Sequence, residues 1–64
     1  MDKDEKIELL KHILTDEALD NIGRMESDKL KDFNECISIF LSTNDRINEE
    51  GALKTLQLML KGVQ

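Results

Sequence analysis

Two side chains in this sequence could serve as nucleophile, general base or soft metal ligand, and each is the only one of its type: His12 and Cys36. Zinc-type sites gather several His or Cys ligands, and a reactive thiolate needs a neighbouring His or Lys to lower its pKa. His12 falls on the polar flank of a predicted helix near its C-terminal end, where the helix dipole favours a solvated cation. Cys36 lies three residues after Phe33 and four before Phe40, inside the strongest apolar stripe, and reads as a small core hydrophobe. The carboxylate pairs Asp16/Asp20 and Asp28/Asp32 share helix faces at i, i+4 and read as solvated surface. Asp45 to Gly51 offers oxygen ligands and a glycine, yet Ile47 breaks the alternation that a calcium loop requires. Neither a glycine-rich phosphate loop nor a Ser-His-Asp set occurs. These residues predict no enzyme, no metal site and no cofactor.

Cations are the remaining chemistry. Lys29 and Lys31 flank the start of a predicted helix, where the dipole adds attraction for a phosphate. Lys54 and Lys61 lie two turns apart on the last helix. Against a nucleic-acid surface stands the aromatic content of 3%: Phe33 and Phe40 both belong to the core stripe, so no base-stacking platform exists. On the residues alone these lysines read as solvated, with a phosphate-binding patch as the competing reading.

The elements that must carry these residues are helical. Ile7, Leu10, Ile13 and Leu14 recur at i, i+3, i+6 and i+7, which predicts a first helix from Asp2 or Asp4 to Leu14. Thr15 is a predicted N-cap for a short helix over Asp16–Met25, with Ala18, Ile22 and Met25 on one face. Ser27 is the predicted cap of a third helix, striped by Leu30, Phe33, Cys36, Ile37, Phe40 and Leu41. Ser42 to Asp45 reads as a turn, because small polar side chains compete for backbone hydrogen bonds. Asn48 is then expected to cap a last helix opened by Glu49 and Glu50, with Leu53, Leu56, Met59 or Leu60, and Val63 inward. The expected fold is all-α: a compact three-helix bundle with an additional short helix, in a single domain over residues 1–64 with a core of about 6–63.

Length and charge bound the function. Leu, Ile, Val and Phe make up 19 of the 64 residues, enough for a folded core. A chain this short buries only about 60% of its unfolded surface, which leaves little room for an enclosed small-molecule site. The net charge is −5, a field that repels phosphate backbones and anionic membranes unless a local patch overrides it. One cysteine, an acidic N-terminal stretch and apolar runs of at most three residues predict an intracellular protein, cytoplasmic or, in a eukaryotic cell, nuclear, with no membrane contact.

The order and spacing of these segments resembles the programmed cell death protein 5 family, whose archaeal members are described as double-stranded DNA-binding proteins. Ile13-Leu14-Thr15-Asp16-Glu17-Ala18, with Ile22 four residues on, is similar to the family's helix start of hydrophobic residue, Leu, Thr, x, Glu, Ala. Phe33, Cys36, Ile37, Phe40 and Leu41 repeat its apolar stripe. Thr43-Asn44-Asp45-Arg46-Ile47 resembles its turn, Ile47 to Gly51 the opening of its last helix, and Leu60 to Val63 the close. Where the family carries arginines after the Ala, this chain has Leu19, Asp20 and Asn21.

The resemblance covers about residues 6–63 and implies a three-helix bundle with a short extra helix. It also implies sequence-independent binding of double-stranded DNA, with Lys29, Lys31 and Lys61 at positions that are basic in the family and Arg46 as a further contact. The alternative expectation is an acidic helical protein-interaction module, of an apoptosis- or chaperone-related adaptor type. In a homodimeric version Leu53, Leu56, Leu58, Met59 and Leu60 broaden the apolar face of the last helix beyond what one packed surface needs.

Overall fold

Helix α1 (Lys3–Ile13) begins where the Asp2 carboxylate accepts the Glu5 N–H at 2.8 Å, satisfying one of the donors that a helix start leaves open. Asp4 and Glu5 in its first turn and Lys11 and His12 in its last complement the dipole. The computed structural model describes residues 1–61. It continues through α2 (Asp16–Gly23), α3 (Ser27–Ser42) and α4 (Arg46–Leu60). The described residues contain no strand. The expected bundle of three main helices plus a short one is therefore the observed fold.

Several boundaries differ from the sequence reading, each for a local reason. Thr15 caps α2 as expected, its hydroxyl accepting the Ala18 N–H at 3.2 Å. The helix stops at Gly23, not Met25: the Arg24 and Met25 amides donate to the carbonyls of Asn21 and Ile22, tightening the exit. Ser27 is the first helical residue of α3, not its cap. The N-cap is Glu26, which makes no side-chain capping bond. Ser42 remains helical, its hydroxyl donating back to the Ser38 carbonyl at 2.8 Å. Asp45, not Asn48, caps α4, accepting the Ile47 N–H at 3.0 Å. Asp45 wins because Thr43 Oγ1 accepts its backbone N–H at 3.2 Å, fixing a tight three-residue connection from Thr43 to Asp45. The expected inward Val63 lies outside the described residues.

That short connection makes α3 and α4 an antiparallel hairpin. Cys36 Sγ donates to the Ala52 carbonyl at 3.4 Å and marks the register. Phe40 and Leu56 are fully enclosed between the helices, with Phe33, Ala52, Leu60 and Ala18 nearly so. Burying each of the two largest of these contributes about 1.5–3 kcal/mol. Helix α1 packs its first turns against the end of the hairpin where α3 stops and α4 starts, and its last turn reaches Gln57 and Leu60 near the opposite end. Helix α2 sits at the opposite end, where Asn21 Nδ2 donates to the Leu60 carbonyl at 2.7 Å.

The contact between α1 and the start of α4 is polar at its centre. Lys6 and Glu49 are both buried, although periodicity assigned neither to the core. Lys6 Nζ donates to the Thr43 carbonyl at 2.6 Å and stands 3.1 Å from Glu49 Oε2. Glu49 Oε1 faces the Met1 α-ammonium at 3.3 Å. Lys6 Nζ also lies 3.5 Å from the Leu41 carbonyl, so the one ammonium is shared between the Glu49 carboxylate and the carbonyl end of α3.

Candidate nucleic-acid interface

The hairpin topology divides the four cationic residues expected to contact phosphate. Lys29 and Lys31 stand at the start of α3, and Lys61 is the C-cap of α4, so antiparallel packing brings all three to one end of the bundle. Arg46 opens α4 and lies at the other end, roughly 20 Å away along the helix axis. Its guanidinium Nε pairs with Glu50 Oε2 at 3.3 Å, one turn on. Arg46 is thus separated from the lysines and partly neutralised.

The three lysines at the common end do not form a flat patch. Lys29 and Lys31 are two residues apart and project about 200° from each other around α3, so they flank the helix terminus on either side. Lys61 lines a cleft with Ile13, Thr15, Glu17 and Ala18 where α1, α2 and α4 meet. Arg24, the C-cap of α2, joins this end and was not singled out by spacing. Its signal was available: it sits three residues before α3, in the connection between two predicted helices.

Among the described residues, Lys6, Lys11 and Arg46 have carboxylate partners within 4 Å, whereas Lys3, Arg24, Lys29, Lys31, Lys54 and Lys61 have none, so ion pairing alone does not set the two ends apart. The end that gathers Lys29, Lys31 and Lys61 holds the helix start without a side-chain cap, since α1, α2 and α4 are capped by Asp2, Thr15 and Asp45 and α3 is not. Backbone N–H groups at such a start can receive an anion's oxygens. Glu26, Asp28 and Asp32 share the α3 start and oppose any anion there.

The remaining candidates for chemistry lie apart. His12 is exposed at the far end of an open cleft that runs along α1 from Asp2 past Glu8. Cys36 lines a groove between α3 and α4 with Ile39 and Ile47. Partial burial raises the Cys36 thiol above its ordinary pKa, the direction opposite to nucleophile activation. Asp45 to Gly51 forms the cap and first turns of α4 and not a metal loop. Among the described residues, no group of three His, Cys, Asp or Glu side chains could hold a metal ion. None of their helices is long and apolar enough to cross a membrane.

Compared with known proteins, the chain matches no family model, no curated protein and no solved structure.

Proposed function

We propose that this chain is a non-enzymatic intracellular binding domain that associates with double-stranded DNA through the α3 start. The observation that carries the reading is that Arg24, Lys29, Lys31 and Lys61 lie at the end of the bundle that holds the start of α3, whose N-cap makes no side-chain hydrogen bond among the described residues. The resemblance to the programmed cell death protein 5 family supports the same ligand. Contacts of this kind go to phosphates and read no sequence. With a net charge of −5 the chain gains affinity only from this end, so binding is weak and confined to low ionic strength.

Anisotropy of a labelled duplex, titrated with the chain at low and moderate salt, tests the reading. Binding should weaken with a log–log salt slope of about −0.9 per phosphate engaged, so a slope near −3 to −4 is expected for three or four cations. The double variant Lys29→Glu, Lys31→Glu should abolish it, while Arg46→Glu should leave it nearly unchanged. A chain that fails to bind at the lowest salt refutes the proposal.

A protein partner is the second reading, and one observation favours it. Asp2, Asp4, Glu5 and Glu8 surround Leu9 in an open cleft along α1, an acidic rim over an apolar floor that suits a basic amphipathic segment.

A further inference from the structure

Among the described residues, the two most exposed large hydrophobic side chains are Ile47 (78%) and Leu58 (55%), and both belong to α4. At about 100° per residue their separation comes to three turns plus about 20°, so they project from one line on the outer face of the helix. Of the residues expected to broaden the apolar side of α4, Leu56 and Leu60 are buried and Leu53 and Met59 partly so, which leaves Leu58 outside. Gly51 lies between Ile47 and Leu58 on the same face. A glycine inside a helix is less stable than an alanine, and a Cβ added here would meet nothing within 4 Å, so packing of the single chain gives no reason for it. Its absent side chain lets another backbone approach closely. The Thr55 hydroxyl, one turn on, donates to the Gly51 carbonyl at 2.9 Å and brings no unspent donor to such a contact.

The register of this face is its own complement. The point midway between Ile47 and Leu58 falls beside Leu53, the middle residue of α4 (Arg46–Leu60). An antiparallel second copy, related by a twofold axis through that point, overlaps nearly the whole helix. It sets Ile47 of each chain on Leu58 of the other, the reciprocity an isologous interface requires. Glu50 and Lys54 project to the same side of the Ile47–Leu58 line, and the axis keeps both on one side of the contact. Lys54 of each chain therefore comes level with Gly51 of the other and within one residue of its Glu50. Inside one chain Glu50 is paired with Arg46 at 3.3 Å, and Lys54 has no carboxylate partner among the described residues. The second copy supplies that partner. Antiparallel packing also sets each α4 N-terminus beside the other's C-terminus, which the helix dipoles favour.

We propose that the outer face of α4 is a self-association surface whose occupant is a second copy of this chain, held by two Ile47–Leu58 contacts and two Lys54–Glu50 pairs. The net charge of −5 on each copy opposes approach at long range. At an ionic strength of about 0.15 M that repulsion is screened beyond about 8 Å, whereas the opposite charges of this face meet at short range. None of Arg24, Lys29, Lys31 and Lys61 takes part, so the inference is independent of DNA binding.

Sedimentation equilibrium of the chain in about 0.15 M salt, with helicity followed by circular dichroism, tests it. The mass should rise from the single-chain 7.4 kDa towards twice that value. The rise should occur between about 10 µM and about 1 mM, since an interface of one helix per chain is small. Ile47→Lys and Leu58→Glu should each hold the chain monomeric with unchanged helicity. Combined in one chain they should restore association, because each new lysine then faces a new glutamate. Lys54→Glu should weaken association several-fold, and adding Glu50→Lys should recover it. Gly51→Ala should raise the urea midpoint of the dilute chain yet move association to several-fold higher concentration. Three results would overturn the proposal: a wild-type monomer throughout, a dimer indifferent to Ile47→Lys and Leu58→Glu, or a dimer that only Ile39→Lys dissociates. The last would move the interface to the half-exposed Ile39 of α3.

Discussion

Lys6 Nζ stands 3.1 Å from Glu49 Oε2, and both side chains are shut away from solvent where α1 meets the start of α4. The same ammonium donates to the Thr43 carbonyl and lies 5.9 Å from the centroid of the Phe40 ring, so one lysine ties α1 to both arms of the hairpin. The contact with the ring adds cation–π attraction to the ionic one. Without this cluster α1 would rest on the hairpin through partly buried Leu9, Leu10 and Ile13 alone.

Breaking the pair should cost more than replacing it. Lys6→Met leaves the Glu49 carboxylate enclosed without its main counter-charge, and Glu49→Leu leaves the ammonium with only carbonyl partners. Urea denaturation should show a large drop in midpoint for each single variant. The double variant Lys6→Met, Glu49→Leu should recover much of the loss, because two apolar side chains can fill the same space. Additive losses in the double variant would mean that the two residues act independently.

Acid should weaken the fold through Glu49. Contact with the Lys6 ammonium holds its carboxyl below the ordinary carboxylate range, against burial, which pulls the other way; the Met1 α-ammonium adds to the lowering. Its contribution is therefore complete above about pH 4.5 and disappears as pH falls through the lowered folded value. Thermal unfolding followed from neutral pH to about pH 3 should show this slope on top of that of the other carboxylates. Glu49→Gln should be less stable than the parent at neutral pH, and the gap should shrink in acid. A gap that is constant with pH would refute the assignment.

Periodicity exposed the four helices because each main one carries an apolar stripe that must be covered, and Phe33, Phe40, Leu56 and Leu60 are indeed interior. It could not reveal Lys6 or Glu49, since a charged residue at a core position looks the same in sequence as one on the surface. Their burial depends on α1 packing on the hairpin, a long-range fact. The caps of α3 and α4 lie one and three residues before the expected Ser27 and Asn48 for a related reason. Ser27 and Asn48 are good capping types, yet the tight turn at Thr43 set the α4 start at Asp45. Among the site residues, Lys29, Lys31 and Lys61 came together as the hairpin dictates, and Arg46 fell at the far end because an antiparallel pair separates the two helix starts.

Cys36 should be slow to react. Its thiol is partly buried, donates to the Ala52 carbonyl, and has its pKa raised by desolvation, so little thiolate exists at neutral pH. Alkylation by iodoacetamide near pH 7.5 should run well below the rate for a free cysteine peptide and reach it in denaturing urea. A native rate equal to the unfolded rate would mean that the α3–α4 seam opens freely at this point.

The uncapped start of α3 offers a stabilising substitution that also bears on the proposed function. Glu26→Ser would supply a hydroxyl to accept an amide N–H from the first turn, a bond worth about 0.5–2 kcal/mol at such positions. By the same rule Asp45→Ala, which removes the α4 cap, should cost about 1 kcal/mol. The two changes should move the urea midpoint in opposite directions. For DNA the α3 cap poses two opposed effects: losing the Glu26 charge lowers repulsion of phosphate, while the serine hydroxyl occupies an N–H that an anion would use. If phosphate is held by the lysines alone, Glu26→Ser should tighten binding, as should Glu26→Gln. If the backbone N–H groups take part, Glu26→Gln should tighten it more than Glu26→Ser. Comparing the two variants at one low salt concentration separates helix-terminus recognition from simple charge attraction.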